Sequence, residues 1–406
     1  MNQPNKTLPL WQVLLCGAAI VTLSMGVRHG FGLWLQPITQ AQNWTRENFA
    51  FAMAVQNLTW GFFSIFSGMV ADKFGAFKVI LVGAVLYALG LAGMAYSTST
   101  LTFTLTAGIL IGAAQAGTTY SVIYGVIGRN VSAEKRSWAM GVAAAAGSFG
   151  QFLMVPVEGF LITNYGWQEA LVWLTVALLV AVPLALGLRE PSFASGKPAV
   201  REQSIFQALR EAFAYPSFQL LMAGFFVCGF QVVFIAVHMP SYLKDKGLSP
   251  EVASISLALI GLFNVFGTYI AGSLGQRLAK RKILAFIYFS RSVAIALFLL
   301  APLTPWTVYI FASVMGLLWL STVPPTNAVI AQIFGITHFS MLGGFVFFSH
   351  QIGSFMGVWL GGYLYDKTGS YDIVWYLAIT LGLFAAFVNL PVKENAIQRK
   401  PEMATA

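Results

Sequence analysis

The stretch Leu10-Trp-Gln-Val-Leu-Leu-Cys-Gly-Ala-Ala-Ile-Val-Thr-Leu-Ser-Met-Gly-Val-Arg28-His-Gly-Phe-Gly-Leu-Trp-Leu35 carries a single formally charged side chain, Arg28, in a run long enough to cross a bilayer as a helix. Blocks of the same kind recur along the whole chain. Of its 406 residues 57% are apolar and 9% are Asp, Glu, Lys or Arg, against roughly 25% charge in an ordinary soluble domain. A soluble globule of this size is excluded. An outer-membrane barrel would show segments of about ten residues with alternating polarity, and these runs do not alternate. About twelve spans of about 22 residues fit the length and leave short loops. The reading is an all-α polytopic membrane protein with twelve transmembrane helices.

Apolar blocks bounded by charge, Gly and Pro place helices near 11–35, 49–70, 78–97, 101–127, 138–163 and 168–188, then near 217–238, 251–274, 283–302, 305–333, 341–364 and 372–391. With the N-terminus inside, the outer loops hold only Arg46, Lys244, Lys246 and Lys367, while Arg28 and Arg291 fall within spans. Every other Lys and Arg then lies on the inner side, which puts both termini in the cytoplasm. The first block lacks a charged leader region and reads as a retained helix, not a cleaved signal. The expected location is the cytoplasmic (inner) membrane of a bacterium.

The two sets of six resemble each other. Gly68-Met-Val-Ala-Asp72-Lys73 after helix 2 corresponds to Gly272-Ser-Leu-Gly-Gln276-Arg277 after helix 8, and Gly147-Ser-Phe in helix 5 to Gly353-Ser-Phe in helix 11. Gly159 and Gly166 pair with Gly362 and Gly369 at one common offset. The chain therefore divides into an N-terminal six-helix bundle (1–189), a linker (190–215) and a C-terminal bundle with a short tail (216–406). Within the linker, Ile205, Phe206, Leu209 and Phe213 share one helical face, as in a short helix lying on a membrane surface.

Several function classes are excluded. The net charge of +9 is spread over loops and not gathered on a soluble domain, so no nucleic-acid partner is expected. Cys16 and Cys228 lie inside apolar spans and read as packing residues, with no disulfide or metal spacing. There is no Walker loop, no Cys/His cluster and no Ser/His/Asp set. Neither an enzyme, a cofactor nor a metal is expected, and the lipid bilayer is the obligatory surrounding.

Gly68-x-x-x-Asp72-Lys73-x-Gly75-x-x-Lys78, between helices 2 and 3, resembles the signature loop of the major facilitator superfamily, and with the duplicated twelve spans the resemblance covers essentially the whole chain. It implies two pseudo-symmetric six-helix bundles around a central site opened alternately to either side, with Gly68, Asp72, Lys73 and Gly75 as a conformational latch. A glycine permits the tight turn such a latch needs. Arg28-His29-Gly30-Phe-Gly32 and His350-Gln351-x-Gly353-Ser-Phe are similar to stretches of bacterial monocarboxylate and oxalate:formate carrier relatives. Those carriers bear an arginine in helix 8, where Asn264-Val-Phe-Gly267-Thr268 has no charge.

A charged group near the bilayer centre costs about 2.5 to 3.5 kcal/mol on insertion scales, so those that remain are functional candidates. Arg28 lies in the outer half of helix 1, and Arg291 roughly 12 Å into helix 9. Either guanidinium suits a carboxylate, which it binds through two parallel hydrogen bonds. His350, Glu158 and His29 are candidates for carrying a coupled proton, and His350 with Gln351 for binding substrate. Gln56, Asn57, Gln115, Tyr120, Gln151, Gln231, Asn264 and Asn327 are polar interruptions of spans and would line a polar cavity; Trp60, Tyr124 and Trp319 add flat surfaces. Plainer readings stand beside these: Arg291 paired within the protein, His350 a packed imidazole, Glu158 an interfacial carboxylate. His238 and His338 fall at expected helix ends, where wet surface positions are ordinary.

The expectation is a monomeric secondary active transporter of a small, monocarboxylate-like organic anion, coupled to protons. The alternative is carriage of a larger amphiphile, such as a drug, a metallophore or a flavin vitamin.

Overall fold

The computed structural model describes residues 8–190, 204–335 and 338–397, and no strand occurs among them. Twelve helices there are long and apolar enough to cross a membrane: α1 (Leu10–His29), α2 (Arg46–Ala71), α3 (Ala76–Tyr96), α4 (Thr100–Asn130), α5 (Trp138–Tyr165), α6 (Trp167–Leu186), α7 (Pro216–Asp245), α8 (Pro250–Leu274), α9 (Lys280–Leu300), α10 (Pro305–Phe334), α11 (Met341–Thr368) and α12 (Asp372–Asn389). An even number of crossings puts both ends of the chain on one face. Large apolar side chains such as Phe286, Trp306 and Phe387 stand uncovered on the outside, as lipid-facing residues do.

Local chemistry sets the ends. Thr45 and Asn48 form a capping box at the start of α2, and Thr304 and Thr307 another at the start of α10. The repeat read from Gly166 and Gly369 has a structural cause. Both end a long helix, α5 and α11, with positive φ (81° and 72°) that a side chain would oppose. Gly75 (φ 91°) makes the turn from α2 to α3, whereas Gly68 has open space around it. The side chains of Asp72 and Lys73 lie outside the described residues.

Three spans expected to be continuous are interrupted. α1 breaks at Gly30 and continues as the helical segment Phe31–Gln42. α4 contains a wide π-helical turn at Thr104–Leu110 and breaks at Thr119. α10 is interrupted between Leu318 and Val323, where Pro324 and Pro325 open the second piece and cannot donate to the turn before it. The short helix Ile205–Ala214 packs Ala208 and Ala212 inward and leaves Ile205 and Phe206 exposed; residues 191–203 of the linker lie outside the described set.

The halves meet along two crossed pairs, α2 with α11 and α5 with α8, and through the segment Phe31–Gln42 against α7. These contacts place α1, α2, α4, α5 and α11 around the interior that the polar residues share.

Candidate functional site

Arg28 occupies the last turn of α1 before the Gly30 break and is half-buried. Its Nη1 donates to Gln56 Oε1 (3.2 Å) and Gln115 Oε1 (3.3 Å), and its Nη2 to Asn57 Oδ1 (2.6 Å). The amides are held from behind. Gln56 Nε2 donates to the Ala107 carbonyl (2.6 Å), Asn57 Nδ2 to the Met53 carbonyl (2.8 Å), and Gln115 Nε2 to the Tyr87 hydroxyl (3.3 Å), which donates to the Ser24 carbonyl (3.1 Å). With each amide nitrogen committed, each amide oxygen is aimed at the guanidinium. The Trp60 ring covers one face, 4.4 Å from Cζ to centroid, and its Nε1 donates to Thr119 Oγ1 (3.3 Å) at the α4 break.

Amide oxygens accept hydrogen bonds but bring no charge. Among the described residues no carboxylate lies within ion-pair distance of Arg28. Among the described residues, three of the five N–H groups of the guanidinium are used.

From Arg28 a line of rings crosses to the other half. Trp60 meets Phe347 of α11 edge to face (5.2 Å, 79°), and Phe347 stacks on His350 (6.0 Å, 12°). His350 is buried, its Nδ1 3.2 Å from Gln351 Oε1 and 3.4 Å from Ser354 Oγ. Gln351 Nε2 has no partner and is sealed from solvent. Tyr120, half-buried, lies tilted against Tyr124 (5.7 Å) near the α4 break. Thus Arg28, Gln56, Asn57 and Gln115 form one cluster, with His350 and Gln351 across the interface.

Other candidates sit elsewhere. Arg291 is wholly buried and gives its hydrogen bonds to the Leu318 carbonyl (3.1 and 2.6 Å), the Trp319 carbonyl and Gln231 Oε1 (3.4 Å). It caps the carbonyls released where α10 is interrupted, as a cation at a helix C-terminus does. Gln231 Nε2 donates to the Ala378 carbonyl (2.8 Å). Asn264 ties three helices, donating to Ser148 Oγ of α5 (2.8 Å) and accepting from Thr268 Oγ1 and the Leu320 N–H. Gln151 Nε2 donates to the Leu257 carbonyl (2.8 Å) while its Oε1 is buried without a partner. Asn327 is half-buried near Gly343.

Glu158 is fully buried against Gly30, one oxygen accepting from Trp34 Nε1 (2.9 Å) and the other without a partner. His29 turns back on its own helix and donates from Nδ1 to the Met25 carbonyl (2.6 Å), a carbonyl near the break. Two expectations need correction: His238 and His338 are buried and not on wet surface. α7 runs on to Asp245, so His238 lies inside it, between the Val358 carbonyl (2.7 Å) and the Tyr371 hydroxyl (3.3 Å).

A polar cluster at the face opposite the termini had no counterpart in the sequence reading. Arg46 of α2 pairs with Asp245 of α7 and covers the Tyr365 ring (3.8 Å); Asp366 of α11 accepts from the Arg46 and Glu47 backbone N–H groups (3.2 and 2.6 Å). Glu47 in turn accepts from Trp359 Nε1 (3.2 Å). The available hint was an acid or base at the end of each of three spans.

Residues 14–335 match the Major Facilitator Superfamily. The chain belongs to the Major Facilitator Superfamily. Among superfamily relatives, the uncharacterized MFS-type transporter YcxA of Bacillus subtilis (strain 168) is 23% identical, covering 94% of each chain. Monocarboxylate transporter 13 of Rattus norvegicus is 26% identical over 91% of this chain and 85% of its own. Monocarboxylate transporter 11 of Mus musculus is 25% identical, with 94% and 86% covered. A solved bacterial homolog of the human lysosomal transporter Spinster, inward-facing and unoccupied, matches with a TM-score of 0.73 at 16% identity, covering 97% of this chain and 99% of that one, and shares its fold. The protein is a multi-pass membrane transporter for a small molecule and not an enzyme, as members of the Major Facilitator Superfamily are.

Proposed function

We propose that this protein moves a small organic monoanion across the cytoplasmic membrane of a bacterium by alternating access, coupled to protons, as a monomer with both termini cytoplasmic. The observation that carries this is the Arg28 guanidinium, oriented by three neutral amides and, among the described residues, left with two donors and no counter-ion. A monocarboxylate placed there neutralises the site, whereas a dicarboxylate leaves a surplus charge in the membrane interior, at a cost of about 2.5 to 3.5 kcal/mol. The relatives named as monocarboxylate transporters agree with that charge count. His350 and Gln351 complete the site from the other half, and the coupled proton resides on His350, Glu158 or His29. The units 1–189 and 216–406 rock about α2–α11 and α5–α8, with the linker 190–215 between them and the loop at Gly68, Asp72, Lys73 and Gly75 as a latch. Arg291 braces α10 in this scheme.

The test is a thermal-stability series on the purified protein with monocarboxylates, dicarboxylates, flavins, metallophores and lipophilic cations. A ligand at about 100 times its dissociation constant stabilises by roughly 2.7 kcal/mol. Monocarboxylates should do so in the wild type and not in Arg28→Gln, with Arg28→Lys keeping part of the effect because a point charge replaces a two-point donor. A shift from bulky amphiphiles alone, or an equal carboxylate shift in Arg28→Gln, would overturn the reading.

A further inference from the structure

Among the described residues Glu158 is the only acidic side chain wholly removed from solvent. Its surroundings are unusual for a carboxylate. Trp34 Nε1, itself buried, donates to one oxygen (2.9 Å), and the other oxygen has no donor and no cation on it. The carboxyl group lies where a Gly30 side chain would stand, so it fills the gap at the α1 break. The groups around it are few. From the segment after the α1 break it faces Trp34, with Arg28 and His29 preceding Gly30 in the chain; from α3, the buried Tyr87 is tied to Gln115 and the Ser24 carbonyl; from α8, Ser254 packs on the adjacent Gly159 and does not titrate.

The segment Phe31–Gln42 is held at two points. At one end Trp34 is tied to Glu158; further along, Gln36 Nε2 donates to Asp245 of α7 (2.8 Å) in the cluster that joins the halves. An ionised Glu158 holds Trp34 by a charge-assisted bond, and a protonated one by a weaker neutral bond. We propose that Glu158 carries the coupled proton, and that the break at Gly30 and the segment Phe31–Gln42 link its loading both to anion binding at Arg28 and to the Arg46–Asp245 tie. This rests on the anion reading of Arg28 for its coupling half and on Glu158 alone for its proton half. The link runs through the backbone. The ionised and protonated forms of Glu158 hold Trp34 with different strength, the Gly30 break carries that difference to Arg28, and proton and anion therefore change each other's binding reciprocally.

The test uses the full chain in lipid. Infrared difference spectra on an acid step, taken without any anion, should show the C=O stretch of a protonated carboxyl in the wild type and lose it in Glu158→Gln. Trp34→Phe, which leaves the acid in place, should displace the pH midpoint of that band. In liposomes, the part of lactate uptake driven by a proton gradient should fall about tenfold or more relative to lactate exchange in Glu158→Gln. A band that persists in Glu158→Gln, a midpoint unmoved in Trp34→Phe, or gradient-driven uptake undiminished would overturn the proposal. A wild type that shows the band but neither binds nor exchanges lactate would overturn the anion reading and the coupling while upholding the proton site.

Discussion

Arg46 of α2 and Asp245 of α7 form a two-point ion pair, with Nη1 and Nη2 each 2.7 Å from a carboxylate oxygen. The pair joins the two halves at the face opposite the termini, beside Asp366, which caps the start of α2 from the other half. Its side chains are 13% and 27% exposed, so solvent weakens it only in part.

Breaking this tie should favour the conformation open on that face. Arg46→Ala or Asp245→Asn should shift the balance by about 1 to 2 kcal/mol, a roughly 5- to 30-fold change in population. Labelling of a cysteine placed beneath the cluster reads the change, and the exchanged pair Arg46→Asp with Asp245→Arg should restore the original rate. Equal labelling in all variants would mean that the pair does not hold this face shut.

The twelve spans were legible because the energetics of burying helices in lipid act on composition, and the composition is extreme. The amide cage was legible only as ingredients. Arg28, Gln56, Asn57 and Gln115 each interrupt an apolar run, but their meeting depends on how α1, α2 and α4 pack, which no periodicity encodes. The breaks at Gly30 and Thr119 were hidden, because Gly and Thr also occur in unbroken membrane helices, where neighbours satisfy the backbone. His238 closed the expected helix 217–238, yet α7 carries Pro240 within it and continues to Asp245. The ion pair of Arg46 with Asp245 spans the two halves, and nothing local marks such partners.

The two crossings between the halves share one device. Gln351 of α11 lies over Gly61 of α2, and Gln151 of α5 over Gly261 of α8; an added Cβ would stand 2.8 Å from the Gln351 Cγ or the Gln151 Cβ. Gly61→Ala or Gly261→Ala should therefore cost about 1 to 3 kcal/mol by overpacking. Removing the facing side chain, Gln351→Gly in the Gly61→Ala chain, should return part of the loss, whereas Gly261→Ala also meets the Phe152 backbone nitrogen at 2.9 Å and should not be rescued at Gln151; a double-mutant cycle in melting temperature measures the difference. Additive effects of Gly61→Ala and Gln351→Gly would show that Gly61 is not needed for the close approach.

Trp60 holds Arg28 from one side and Phe347 from the other. Trp60→Leu should weaken monocarboxylate binding through loss of the cation–π contact, worth about 0.5 to 2 kcal/mol, whereas Trp60→Phe should keep most of it. Titration of each variant by calorimetry checks the order. Equal affinities for Leu and Phe would show that the ring face does not orient the guanidinium.

Arg291 is the counter-case to Arg28: both are cations within spans, but Arg291 is closed in by the Leu318 and Trp319 carbonyls and Gln231. Arg291→Leu removes the donor and leaves those carbonyls buried without partners, a penalty of about 1 to 3 kcal/mol for each. Melting temperature should therefore fall more in Arg291→Leu than in Arg28→Leu. Ligand response should divide the other way: the folded Arg291→Leu protein should still be stabilised by a monocarboxylate, and Arg28→Leu should not. If Arg291→Leu keeps its stability and loses the ligand response, the guanidinium reaches the anion in another conformation, and the α10 interruption must be held by other groups.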